Sequence, residues 1–167
     1  MKKVLLTAAF AVAGMVGVSA QTSGVEGTVH VGIPVGDAAD FSSFNLGVDL
    51  AYLHPISTNF KLGGKVGYDH FIAKSDWKDL GGEDFGFIPL AATAKYEFNN
   101  NLFIGADLGY AFSTKDNLDG GLFWQPKFGY SGANFDVYAG YKGISVDSDH
   151  FSNFNADAVS LGFAYKF

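Results

Sequence analysis

Eight segments of this chain alternate apolar and polar residues with a period of two, and nothing else in the sequence limits the fold as much. Phe44–Tyr52 is the clearest: Phe44, Leu46, Val48, Leu50 and Tyr52 share one face, and Asn45, Gly47, Asp49 and Ala51 take the other. A helix places residues i and i+2 on different sides, so such a run predicts a strand with two unlike faces. The same pattern occurs in 25–33, 60–71, 85–98, 102–112, 122–130, 135–143 and 154–167. Pro89 sits near the start of its segment, where a missing N–H is tolerated. Pro126 lies in mid-strand and predicts a bulge or a local break in the ladder.

The connectors alternate in length. Residues 54–58, 99–101 and 131–134 read as tight turns, whereas 36–43, 72–84, 113–121 and 144–153 are longer loops. Eight antiparallel strands with these connections put three turns on one rim and four loops on the other. Both ends of the paired chain lie on the turn rim.

The segment before the first strand has a different character. Met1-Lys2-Lys3, an apolar stretch from Val4 to Val18, and Val18-Ser19-Ala20 before Gln21 form the pattern of a secretory signal peptide. The expected division is signal peptide 1–20 and a β-domain 21–167. The chain has 11 Lys plus Arg, all of them lysine, and 17 Asp plus Glu; removing two lysines with the signal leaves nine against 17, a charge of −8. An acidic chain without arginine lacks the basic patch a nucleic-acid binder needs. The absence of cysteine excludes disulfides and thiolate metal sites.

A period of two reveals two faces without saying which is outside. A soluble barrel turns its apolar face inward around a ligand, and a membrane barrel turns it toward lipid. The export pattern, the segregation of short and long connections, and the aromatics near strand ends (Tyr52, Tyr68, Tyr96, Phe98, Tyr110, Phe112, Tyr130, Phe135, Tyr165, Phe167) favour the membrane form. The expected fold is therefore all-β, an eight-stranded antiparallel up-and-down transmembrane β-barrel. Its polar face carries Asp49, Lys95, Glu97, Asp107, Lys127 and Lys142, which are expected to pair as a polar network in the lumen. Gly47, Gly105, Gly109, Gly140 and Gly162 read as small inward residues that let a narrow barrel pack.

The export pattern, the glycine- and aromatic-rich strands, and the closing Leu161-Gly162-Phe163-Ala164-Tyr165-Lys166-Phe167 resemble the small eight-stranded outer-membrane β-barrels of Gram-negative bacteria. Within them, the outer-membrane β-barrel domain family of Bacteroidetes is the nearest likeness. The resemblance implies an outer-membrane location, with lipid and lipopolysaccharide as surroundings. It also implies that Phe163, Tyr165 and Phe167 form an assembly signal read by the barrel assembly machinery. The implied role is a non-catalytic, porin-like or surface protein without cofactor. The alternatives are a narrow solute channel, a soluble ligand-binding barrel and a lipid A-modifying hydrolase.

Few residues suggest chemistry. His150-Phe151-Ser152 resembles the His-x-Ser element of outer-membrane lipid A deacylases, in which histidine is the base and serine the nucleophile, but no glutamate follows it. The other histidines, His30, His54 and His70, show no metal-ligand spacing. Acid concentrates in the long loops. Asp76, Asp79, Glu83, Asp84, Asp116 and Asp119 are candidates for holding divalent cations, though their spacing matches no EF-hand.

Overall fold

The structure, a computed structural model, describes residues 24–115, 118–146 and 154–167. The signal-peptide segment 1–20, Asp116, His150 and Ser152 lie outside the described residues. The strands are β1 Val25–Val35, β2 Ser42–Pro55, β3 Phe60–Ala73, β4 Phe85–Glu97, β5 Leu102–Ser113, β6 Gly121–Ser131, β7 Phe135–Val146, β8 Phe154–Asn155 and β9 Asp157–Lys166. Two short helices, α1 Ala38–Phe41 and α2 Ser75–Asp79, stand in the first and second long loops.

From β1 to β8 each strand pairs antiparallel with the next, and β9 pairs with both β7 and β1, so the sheet closes. Closure removes both sheet edges, the condition for strands to cross lipid without unpaired backbone groups. The last stave, expected as one strand over 154–167, is interrupted at Ala156. Its N–H bonds Ile144 O at 2.9 Å, and the pairing with β7 keeps one register on either side. Several strands run further toward the loops than the alternation suggested. β1 reaches Val35 and β7 reaches Val146, with Ile144 and Val146 turned inward, which leaves shorter loops.

Pro126 breaks the ladder without a bulge. It faces out and pairs with Ala106 of β5, while the β6–β7 ladder skips Gln125 and Pro126 and resumes in the same register. The wall's one irregular register among the described strands lies between Ser42 and Phe44 in β2. There the hydroxyls of Ser42 and Ser43 both donate to Ile72 O, at 3.1 and 3.3 Å.

The structure decides which face is outside. The apolar side of every long strand is exposed: Val31 47%, Leu50 45%, Val66 45%, Leu90 58%, Leu108 60%, Phe128 54%, Val137 45% and Leu161 62%. The polar side is buried, with Thr28, His30, Asn45, Asp49, Asp69, Lys95, Asp107, Gln125 and Lys142 all inside. A barrel in water would not survive this inversion, because it would expose its apolar area and bury its charges. In a bilayer the inversion is the stable arrangement. Aromatic pairs mark two belts on the outer wall. Tyr96–Phe98 and Tyr165–Phe167, with centroids 5.1 and 5.2 Å apart, lie toward the turns; Tyr110–Phe112 and Trp124–Tyr141, at 5.0 and 5.3 Å, lie toward the loops. Roughly eight residues of tilted strand separate the belts, about 20 Å at ~3.3 Å per residue, close to the apolar band of such barrels.

Candidate functional site: a filled interior and a knitted loop face

Six carboxylates (Glu26, Asp49, Asp69, Glu97, Asp107, Asp136) point into the barrel, and six lysines (Lys61, Lys65, Lys95, Lys127, Lys142, Lys166) meet them. Side chains alternate across each strand, so one parity choice per strand sends all of these groups inside. Lys142 of β7 pairs with Asp69 of β3 across the barrel. Lys65 of β3 reaches Asp49 at 3.1 Å and Asp107 at 3.0 Å, and Lys127 also holds Asp107 at 2.8 Å. Nearer the turns, Lys95 binds Asp136, Glu26 at 3.4 Å and Glu97 at 3.1 Å. Lys61 takes Glu97 at 2.9 Å, and Lys166 takes Asp136 at 2.8 Å. Each charge removed from water thus has a counter-charge, which such burial requires.

Neutral groups extend the network. Thr93 Oγ1 donates to Asp107 Oδ1 at 2.6 Å, Lys65 donates to Gln125 Oε1 at 3.2 Å, and Gln125 Nε2 donates to Ser160 Oγ at 3.2 Å. His30 Nε2 lies 3.6 Å from both Asp49 and Asp69, with Lys142 Nζ 3.4 Å from its Nδ1. Glycines make the room. A Cβ at Gly47 would run into the His30 ring, and one at Gly162 into the ring of buried Tyr138.

Toward the loops the interior becomes apolar. Phe71, Phe87, Phe123, Ile144 and Val146 are fully or almost fully buried and, with Phe85 beside them, close that end. Phe71 stacks on Phe85 with centroids 5.0 Å apart and meets Phe87 edge-on at 6.2 Å. Lys65 Nζ sits 5.0 Å from the Phe123 ring centre, where the ionic layer meets this plug. The cavity among Glu26, Asp49, Lys65, Lys95 and Asp136 measures about 30 Å³, room for water and no solute.

Asp49, Lys95, Glu97, Asp107, Lys127 and Lys142 therefore all lie in the interior, although the sequence did not give their partners. It did not single out Glu26, Lys65, Asp69 or Asp136 for the network, although each lies on the polar parity of its strand. Balancing all inward charges, rather than choosing among them, would have found them.

The long loops are tied to one another. Phe41 of the first loop meets Trp77 of the second edge-on, with centroids 4.7 Å apart. Lys74 N–H donates to Phe41 O at 2.9 Å. Glu83 pairs with Lys115 of the third loop, and Lys78 pairs with Asp84 at 2.8 Å. The Lys115 ammonium holds the Glu83 carboxyl below its ordinary value. Partial burial alone would raise that of Asp84; the hydrogen bonds from Lys78 and the Ala73 N–H outweigh it, and the net shift is downward. Of the acids proposed to hold cations, Glu83 and Asp84 are thus engaged by lysines, while Asp76, Asp79 and Asp119 are exposed. Among the described residues no three acidic or histidine side chains converge in a metal-holding group.

At the seam, Phe163 and Tyr165 face outward on β9, and Phe163 stacks on Phe135 with centroids 5.9 Å apart. Phe167 N–H donates to Val25 O at 3.0 Å, joining the last residue to the first strand.

Solved structures share this architecture. The fold is that of the transmembrane β-barrels of outer membranes. Ail, the attachment invasion locus protein of Yersinia pestis, superposes with a TM-score of 0.55 at 14% identity, over 88% of this chain and 100% of Ail. Neisserial surface protein A gives 0.52 at 19% identity, over 89% of this chain and 99% of that one. A de novo designed transmembrane β-barrel gives 0.54 at 17% identity, over 90% of this chain and 100% of the design. No protein-family model and no curated protein matches the chain. At these identities the likeness is one of fold, and a fold shared with a designed barrel carries no activity of its own.

Proposed function

We propose that the chain is a non-catalytic, non-conducting outer-membrane barrel that acts through its loop face, as a surface-interaction protein. The observation that carries this reading is the filled interior among the described residues: six carboxylates paired with six lysines around a cavity of about 30 Å³, below an apolar plug. An eight-stranded wall encloses only enough space for its own side chains. Ail and Neisserial surface protein A, whose names place them in attachment and at a cell surface, share the fold and lend support. In this reading residues 1–20 are an export signal, the exposed belt contacts outer-membrane lipid and lipopolysaccharide, and the chain belongs with the Bacteroidetes-type barrel family.

The folded barrel is expected to give no unit conductance in planar bilayers. Lys127→Gln and Asp107→Asn are expected to remain silent, because the Phe71–Phe87–Phe123 plug lies beyond them. Reproducible single-channel steps in the unaltered protein would reject the non-conducting reading.

Phe163, Tyr165 and Phe167 serve as the assembly signal in the same reading. Deleting Phe167 is expected to lower the yield of folded barrel in cells while leaving refolding into detergent intact. An unchanged cellular yield would remove that role.

A further inference from the structure

The second long loop is closed at its base and braced by contacts at its tip. Ala73 N–H donates to Asp84 Oδ1 at 2.9 Å, and Lys78 approaches the same oxygen at 2.8 Å. Two residues beyond the end of helix α2 stands Gly81, whose φ of +86° is one that residues with a side chain rarely adopt, and the N–H groups of Gly81 and Gly82 return to Lys78 O and Trp77 O at 3.0 and 2.9 Å. Gly82 lies against the Trp77 ring so closely that a Cβ would enter it, and Phe41 meets that ring edge-on. Trp77 is thereby fixed while still 38% exposed, and Leu80 projects at 81%, more exposed than any other large apolar side chain among the described residues.

A single exposed leucine is ordinary on a protein surface. This one stands beyond the strands, beside an exposed tryptophan, on a loop held by hydrogen bonds and a ring contact, and such preorganisation lowers the cost of binding. Its surroundings are net negative. The described loop residues carry seven acids (Asp37, Asp40, Asp76, Asp79, Glu83, Asp84, Asp119) and three lysines (Lys74, Lys78, Lys115), and two of those lysines are engaged by Glu83 and Asp84. Asp76 and Asp79 flank the apolar tip on α2 itself.

We infer that the Trp77–Leu80 tip is a docking site for a cationic amphipathic peptide segment, with Leu80 and Trp77 taking its apolar side and Asp76 and Asp79 its positive charge. The inference rests on the proposal that the barrel acts through its loop face. Charge complementarity gives encounter rate and choice of partner, and the apolar pair gives residence.

Trp77 provides the test. The chain has two tryptophans, so Trp124→Phe leaves Trp77 as the only one. This protein, in zwitterionic nanodiscs, would be titrated with a tryptophan-free lysine/leucine helical peptide, with empty nanodiscs as the blank. The expected result is a blue shift of Trp77 emission that saturates. Leu80→Ser should weaken binding by about tenfold, and Asp76→Asn with Asp79→Asn by a similar factor that shrinks in high salt. A glutamate/leucine peptide and polylysine should both bind at least about tenfold more weakly. Equal binding of polylysine, or binding indifferent to Leu80→Ser, would overturn the inference. So would a Trp77 already shielded from an aqueous quencher before peptide is added, which would place lipid or a second copy of the chain on the tip. Because conductance is measured separately, failure here with a silent bilayer would refute the docking site alone.

Discussion

Lys142→Met is expected to destabilise the barrel by about 3–5 kcal/mol, the cost of leaving a buried charge without its partner. Lys142 is fully buried, pairs with Asp69 and lies beside His30. Without it, Asp69 and Asp49 both face the same His30 nitrogen at 3.6 Å with Lys65 as the remaining cation nearby. Asp69→Asn added to Lys142→Met removes the opposed charge, and most of the loss is expected to return. Breaking a buried pair is costly even where the intact pair contributes little compared with an apolar substitute. Denaturant unfolding of the refolded barrel, followed by its gel mobility, measures both variants. A loss below about 1 kcal/mol for Lys142→Met would be typical of an exposed pair and would contradict the packed interior.

The second large effect belongs to the outer wall. Leu108 is 60% exposed and lies between the two aromatic belts, so Leu108→Arg puts a charge near the bilayer midplane. The expected cost is about 2–4 kcal/mol in lipid. Ile33, 66% exposed near the loop end of β1, is the comparison: Ile33→Arg is expected to cost about 0–1 kcal/mol, because its charge reaches the interface. The depth dependence carries the argument. Equal costs at the two positions, measured by unfolding from lipid vesicles, would mean that the wall does not span a hydrocarbon layer.

The wall was legible in the sequence because membrane barrels leave the strongest period-two signal available. The nine residues from Phe44 to Tyr52 alternate almost perfectly, with Ala51 the one apolar side chain on the polar face, and the structure puts Phe44, Leu50 and Tyr52 outside and Asn45 and Asp49 inside. The assignment of faces needed more than periodicity, since an inverted soluble barrel would show the same alternation. The loop ends were less legible for a physical reason. There both faces turn apolar, as at Ile144 and Val146, because the plug needs inward aromatics and aliphatics, and alternation fades where the strand continues. The break at Ala156 left no signal, since its register is unchanged. The pairing of the interior was out of reach: that Lys95 of β4 would meet Asp136 of β7 and Glu26 of β1 depends on closure and stagger, which composition does not encode. The loop contacts, such as Phe41 on Trp77, depend on the same long-range geometry.

The claim that the chain closes into a membrane barrel with its apolar face outward is tested most directly by electrophoresis of the isolated outer-membrane fraction in mild detergent, with and without boiling. A band that resists detergent unboiled and changes mobility after heating is the expected result. Recovery of the protein in the soluble periplasmic or secreted fraction, with one mobility under both treatments, would contradict it and would make the belt of Leu50, Leu90, Leu108 and Leu161 the lining of something else.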